Sequence, residues 1–289
     1  MNIKNDICSF FVFLTALAIL SSCSSIPLNN IENLHSNGKY NEIIAMNIVC
    51  KDASTECVKI NTITADAYSQ LGFLNQANQY ANLAIQLGGG NSDIFSFTEP
   101  KGFSVDNFTG TPQYMSLSYL IRGYSAINRS GNAKNITNMM SILKDAEKDV
   151  SKGIEISLQD EVPIKNKRKR TNLLFGHMLL GEIYIKMSSI SSIWEGFFRH
   201  TNKIKEEVDI IEELDNTGIA NYYKLYSDFL VLSKDANKIK KASLLEELES
   251  VKEEAVFICP KVSGNRVIGP GCTILIDKIN VVLNKLEKR

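Results

Sequence analysis

The residues best able to do covalent chemistry do not combine into a catalytic motif. Ser141 and Lys144 have the Ser-x-x-Lys spacing in which a lysine activates a serine, but we find no companion Lys-Thr-Gly, and four-residue matches are frequent by chance. The three glycines at 88–90 lack the Lys-Ser/Thr that follows in a phosphate-binding loop. We therefore predict that the chain is not an enzyme and uses no cofactor.

Metal ligation has equally little support in the sequence. Neither close pair of cysteines has the two-to-four-residue spacing of zinc ligands. The histidines lie near no cysteine; they are His35, His177 and His200. We predict no metal site.

The N-terminal segment has the layout of an export signal. A short polar start with Lys4 is followed by an apolar run of about 14 residues, whereas a membrane-spanning helix needs roughly 20. The run ends in Leu20-Ser21-Ser22-Cys23. This box resembles the lipobox of bacterial lipoproteins, which are cut before the cysteine.

The lipobox resemblance implies a signal peptide over residues 1–22, lipid such as palmitate on Cys23, and a tether over residues 23–30. Two or more acyl chains would make the membrane anchor stable, because each buried methylene contributes on the order of 0.8 kcal/mol. Ser24, and not aspartate, follows the cysteine. By similarity to proteobacterial sorting, this implies the periplasmic face of the outer membrane.

The remaining cysteines fit an exported chain, since disulfides form in oxidising compartments. Once Cys8 has left with the signal peptide and Cys23 carries lipid, the cysteines that remain are Cys50, Cys57, Cys259 and Cys272. Four cysteines allow three connectivities. Proximity in the sequence favours joining the first to the second and the third to the fourth. The latter bond would close a loop rich in glycine and proline near the C-terminus.

Composition limits the classes of partner. The chain of 289 residues carries 32 basic and 32 acidic side chains. No global field therefore attracts nucleic acid or acidic substrates. Only six residues are proline, which permits long helices.

A repeat indicates the architecture. An offset of 34 residues superimposes Gly38 on Gly72 and Ile43 on Ala77, and 34 is the period of the tetratricopeptide repeat. The second unit resembles that family at its small and large positions, which are Ala65, Tyr68, Gly72, Ala77, Ala81, Ala84 and Leu87. Two antiparallel helices pack closely only where small residues meet at their crossing, and Gly72 would end the first helix in a left-handed C-cap.

The resemblance implies an all-α helical-repeat solenoid, with tetratricopeptide-like repeats over residues 31–160 and an insertion at 88–112. Periodicity predicts degenerate helical repeats over 171–289, with helices near 171–187, 189–213, 216–233, 236–257 and 273–286. Stacked helices of this kind form a superhelix with a concave face.

Three features could contact a partner. Asp66, Ser69 and Gln70 are polar positions of the best repeat and are expected on the concave surface. The insertion carries Phe95, Phe97, Phe103 and Phe108, which either pack across the repeat groove or meet a partner directly. The basic run at 165–170 is either a solvated linker or a contact with anionic lipid or an acidic partner.

These features predict a membrane-anchored, periplasm-facing scaffold that binds a protein partner of an envelope assembly or secretion system. The alternative is a small-molecule or lipid-binding subunit resembling the helical T-component of tripartite transporters. A closed, phenylalanine-lined cavity would favour the alternative, whereas an open groove would favour the scaffold.

Replacing the lipobox cysteine tests the anchor. The variant Cys23→Ala should be neither lipidated nor membrane-bound, because no thiol remains to accept the lipid. Metabolic labelling with palmitate and membrane fractionation measure both effects. Label on the mutant chain would contradict the assignment.

Overall fold

A computed structural model describes residues 28–89, 112–215, 217–235 and 240–288. Within these ranges the chain is all helical and contains no strand. The eleven described helices are α1 (Leu28–Ser36), α2 (Tyr40–Ala45), α3 (Thr55–Gln70), α4 (Leu74–Leu87), α5 (Pro112–Ser130), α6 (Ile136–Gln159), α7 (Lys167–Ile190), α8 (Trp194–Leu214), α9 (Ile219–Asp235), α10 (Lys241–Val262) and α11 (Gly269–Glu287).

The turn between α3 and α4 follows from its local sequence. The side chain of Ser54 caps α3 by accepting from the amide of Cys57 at 3.2 Å. Gly72 has φ of +81°, a left-handed conformation that glycine adopts without steric cost. The amides of Gly72 and Phe73 then donate to the carbonyls of Ser69 and Tyr68, which closes a Schellman motif. The C-cap predicted at Gly72 is confirmed.

The same turn occurs 34 residues earlier, between α1 and α2. Gly38 has φ of +68°, and the amides of Gly38 and Lys39 donate to the carbonyls of His35 and Leu34. The helix after this turn, α2, has only six residues, whereas α4 has 14. The helix pair α1–α2 is therefore shorter than the pair α3–α4.

Small residues bring α3, α4 and α5 together. Ala65, Ala77 and Ala81 are fully buried and pack in one cluster with Ile121. The alanines predicted at the helix crossing therefore lie there.

Glycines allow equally close contacts among the following helices. A Cβ on Gly153 of α6 would lie 2.9 Å from the side chain of Leu120, and a Cβ on Gly181 of α7 would lie 2.5 Å from the ring of Tyr223. These positions have no room for a side chain. One buried apolar cluster continues from Leu120 in α5 to Leu286 in α11.

Both predicted disulfides are present. Cys50 and Cys57 have Cα atoms 5.1 Å apart and tie the segment after α2 to the first turn of α3. Cys259 and Cys272 have Cα atoms 5.5 Å apart and join the end of α10 to the start of α11. The enclosed loop is shorter than predicted because α10 continues through Pro260, which leaves only residues 263–268 between the two helices.

Several predicted boundaries move. Helix α1 begins at Leu28, within the predicted tether, and α7 begins at Lys167 and runs through Ser188 to Ile190. The basic run is thus partly helical, because the side chain of Asn166 accepts from the amides of Arg168 and Lys169 and caps α7. The signal peptide, Cys23 and residues 90–111 of the insertion lie outside the described residues. No described helix is both long and apolar enough to cross a membrane.

Because alanines fill the crossing of α3 and α4, we expect a larger side chain there to destabilise the fold. Ala77→Leu should lower the free energy of unfolding by roughly 1–3 kcal/mol, because a packed core has no space for three more carbon atoms. Gln79→Leu, at an exposed position of the same helix, should change it by less than about 0.5 kcal/mol. Chemical denaturation measures both, and equal stability of the two variants would contradict this packing.

Candidate functional site

A groove of about 1340 Å³ lies on the described part of the chain. The first three helices line one side of it, and α5 and α7 line the other. The connection after α6 and the loop at 263–268 complete the lining. Residues from both ends of the described chain therefore meet at one surface.

Asp66 of α3 lies at the centre of the contacts within the groove. Its side chain accepts from the guanidinium of Arg266 at 2.8 Å and forms a second contact of 2.8 Å with Nε2 of His35. Burial alone would raise the pKa of Asp66, but the charge of Arg266 and the contact with His35 outweigh it and hold that pKa well below its usual range. The carboxylate stays charged because its partners replace water.

This arrangement corrects the predicted polar surface. Asp66 and Ser69 are buried, at 4% and 3% exposure, and Arg266 contacts both. Only Gln70 is exposed, at the groove. Arg266 lies 200 residues further along the chain and covers this face of α3. The residue pattern within one repeat does not indicate such a distant partner. Whether Asp66, Ser69 or Gln70 contacts a partner stays a prediction.

Arg266 is the residue of the groove that the sequence analysis missed. Its guanidinium carbon lies 4.3 Å from the ring centroid of Phe175 in α7, and its backbone carbonyl accepts from the hydroxyl of Tyr124 in α5. A basic residue in a loop tied by a disulfide was the available signal. Spacing in the sequence does not indicate that Asp66 is the acceptor of its guanidinium.

Another part of the groove contains an aromatic and a cation. The guanidinium of Arg168 lies 4.1 Å from the ring centroid of Tyr114, whose hydroxyl donates to Glu32. Burial and the hydrogen bond to Glu32 raise the pKa of Tyr114 to about 12. Tyr114 therefore remains a neutral hydroxyl at physiological pH, with its ring held between α1 and α7.

The basic run at 165–170 is largely anchored, unlike a solvated linker. Lys169 is buried and donates to the carbonyls of Asp160 and Val162, just after α6 ends. Arg170 donates to the carbonyl of Leu214, the last residue of α8. Cations at helix C-termini satisfy carbonyls that have no partner within the helix. Lys165 and Lys167 remain exposed.

Amides and hydroxyls form the wall between α5 and α7. Asn172 donates to the carbonyl and side-chain oxygen of Gln113, and Gln113 donates to Asp160 at 2.9 Å. The hydroxyl of Ser157 also donates to Gln113. This network satisfies buried polar groups behind the groove and fixes α5 against α7.

A second, smaller concavity of about 650 Å³ lies between the first part of α6 and the start of α8. Ser141, Lys144 and His200 all line it. No hydrogen bond joins any two of these three described side chains. Among the described residues no group of three or more His, Cys, Asp or Glu side chains is placed to hold a metal ion.

The predicted residues of the insertion lie outside the described residues. They are Phe95, Phe97, Phe103 and Phe108. Their predicted contact with a partner, or with the repeat groove, stays a prediction.

The buried carboxylate predicts a specific dependence of stability on pH. Asp66→Asn should destabilise the fold at pH 7 by about 1.5–3 kcal/mol, because hydrogen bonds to a charged group are replaced by weaker ones. The folded-state pKa of Asp66 is lowered, so its stabilisation is complete above the unfolded value of about 3.9 and is lost as the pH falls below it. Denaturation at several pH values should show the two proteins converging below about pH 4.

The exposed residue Asp277 of α11 provides the control. Asp277→Asn should stay within about 0.5 kcal/mol of the parent across the same pH range. A difference for Asp66→Asn that does not change with pH would contradict the buried ion pair.

Comparisons of the chain with protein-family models, with curated proteins and with solved structures found no match. The assignment of function therefore rests on the geometry of the groove and on the sequence motifs.

Proposed function

We propose that the chain is a lipid-anchored, periplasm-facing helical-repeat module that holds an extended segment of a protein partner in its groove. The partner would belong to an envelope assembly or secretion system. The observation that carries the proposal is the groove, whose volume of about 1340 Å³ exceeds the roughly 300–1000 Å³ of a drug-sized ligand site.

The lining of the groove suits a peptide. An extended segment has unpaired backbone groups at every residue, and these need hydrogen-bond partners when the segment is bound. Gln70 and Gln159 place exposed side-chain amides on the groove wall. Tyr40 and Tyr114 add aromatic surface, which contributes strongly to protein interfaces.

The same lining disfavours a transporter-type subunit that encloses an apolar ligand. That alternative predicted a closed, phenylalanine-lined cavity. Phe175 is the one phenylalanine among the groove residues described, and Arg266 lies over its ring. An apolar ligand there would remove charged and amide groups from water and offer them no hydrogen bonds in return, which costs free energy.

The repeat resemblance supports the scaffold at the level of architecture. Two Schellman turns lie 34 residues apart, at Gly38 and Gly72, and alanines fill the crossing after the second. Helical-repeat solenoids use their concave faces to hold protein segments. The lipobox adds the expectation of a membrane anchor at one end of the chain.

Site-specific photo-crosslinking tests the groove in its own envelope. A photoreactive amino acid at Gln70, and separately at Thr171, should crosslink to the same protein, because both exposed positions line the groove. The control position is Glu253, which is exposed on α10 and does not line the groove. Mass spectrometry identifies the adducts.

The pattern of adducts decides the result. Equal crosslinking from Glu253, or no protein adduct from either groove position, would rule out the groove as the partner site. Adducts only with a small molecule at both groove positions would favour the transporter-type alternative.

A further inference from the structure

The second concavity contains cations that have no described counterion. Lys144 of α6 and Arg199 of α8 both line it and are exposed. No described carboxylate lies within salt-bridge distance of either one. Elsewhere in the described chain, exposed lysines do pair with acids, as Lys39 does with Glu42 at 3.0 Å.

A further carboxylate of α6, that of Glu147, is already paired. Glu147 forms a 2.7 Å ion pair with Lys203 and accepts from the hydroxyl of Tyr184. Glu195 is the one acid among the residues lining the concavity, and it lies in the first turn of α8, where the helix dipole stabilises its charge. Two unpaired cations therefore remain against one acid.

The start of α8 adds donors for an anion. Its N-cap residue is Ile193, whose side chain cannot accept a hydrogen bond from the first-turn amides. Gly196 in that turn also lines the concavity, so the backbone there is not covered by a side chain of its own. A long helix of this kind carries a partial positive charge at its N-terminus.

His200 points independently to a missing partner. It is 7% exposed and lines the concavity, yet its Nδ1 atom has no hydrogen-bond partner. Burial and the charge of Arg199 lower the pKa of His200. The ring is therefore neutral at pH 7 and retains one N–H donor. In the Nδ1–H tautomer this atom is a buried donor without an acceptor, which costs free energy.

The rest of the lining is apolar. Ile193 is 71% exposed and Ile136 is 61% exposed, and both line the concavity with Met140 and Ile190. The volume of about 650 Å³ lies within the range of small-molecule sites. Aliphatic surface next to unpaired cations matches an aliphatic chain attached to an anionic head.

We propose that the concavity between α6 and α8 binds a free amphiphilic oxyanion, a carboxylate or phosphate with an aliphatic tail. Lys144, Arg199 and the first turn of α8 hold the oxyanion, and Ile136, Ile193 and their neighbours cover the tail. This site is separate from the groove and does not depend on the proposed peptide binding.

Trp194 provides the measurement, since it is the single tryptophan of the chain and directly follows Ile193. The full chain is placed in phosphatidylcholine vesicles, which contain no tryptophan, and titrated with octanoate at pH 7. We expect a saturable change in the emission of Trp194. Octanol, which lacks the charge, and acetate, which lacks the tail, should give no saturable change at the same concentrations.

Variants that each remove one positive charge test which residues bind octanoate. Lys144→Gln and Arg199→Gln should each weaken octanoate binding by about fivefold or more, since each removes a charged hydrogen-bond donor. Lys148→Gln removes a lysine one turn further along α6 that pairs with Asp145, and it should leave the affinity within about twofold. Ser141→Phe should block the site, whereas Ser141→Ala should not.

All of these substitutions lie at exposed positions, and thermal melts confirm that the variants fold. Octyl phosphate in place of octanoate shows which head group binds more tightly. The proposal is overturned if octanoate gives no saturable change, if octanol matches it, or if the double variant of Lys144 and Arg199 keeps its affinity. A response to phosphatidylglycerol vesicles that octanoate does not reproduce would also overturn it.

Discussion

The contact between Asp66 and Arg266 is the constraint on which the groove depends. It joins the best repeat to the loop between the last two helices, 200 residues along the chain. A buried carboxylate that loses its partner destabilises a protein by several kcal/mol, so this loop cannot leave the groove without a large penalty. The disulfide between Cys259 and Cys272 holds the ends of the two helices that carry the loop. The pair and the disulfide together convert a row of helices into a surface with two opposed walls.

A second class of long-range contact stabilises the helix ends. Lys169 and Arg170 follow each other at the start of α7, yet each donates to carbonyls at the end of a different helix. A run of cations at a helix N-terminus is unfavourable by itself, because it faces the positive end of the dipole. The cost is offset where the long side chains reach the negative ends of neighbouring helices. The basic run therefore contributes to how α6, α7 and α8 pack.

Features that depend on residues close together in the sequence were predicted correctly. The turn at Gly72, the buried alanines and both disulfides depend on residues close in sequence, so spacing and residue type were sufficient. The predicted helix near 171–187 ends too early, because burial of Met187 and Ser188 favours continuation of α7 to Ile190. Asp66 was placed on the surface for a related reason. Its burial depends on Arg266, and no periodicity within one repeat contains information about a partner from the other end of the chain.

The two concavities differ in how their charges are satisfied, and this difference sets what each can recognise. In the groove, Asp66, Arg266 and Tyr114 already have partners within the fold. A ligand there gains little from these groups and meets instead the exposed amides of Gln70 and Gln159, the aromatic surface, and the exposed charges of Glu161 and Lys167. Between α6 and α8, Lys144 and Arg199 have no described counterion, so the charge of a ligand decides its affinity there. An uncharged segment placed between α6 and α8 would therefore leave Lys144 and Arg199 without a counterion.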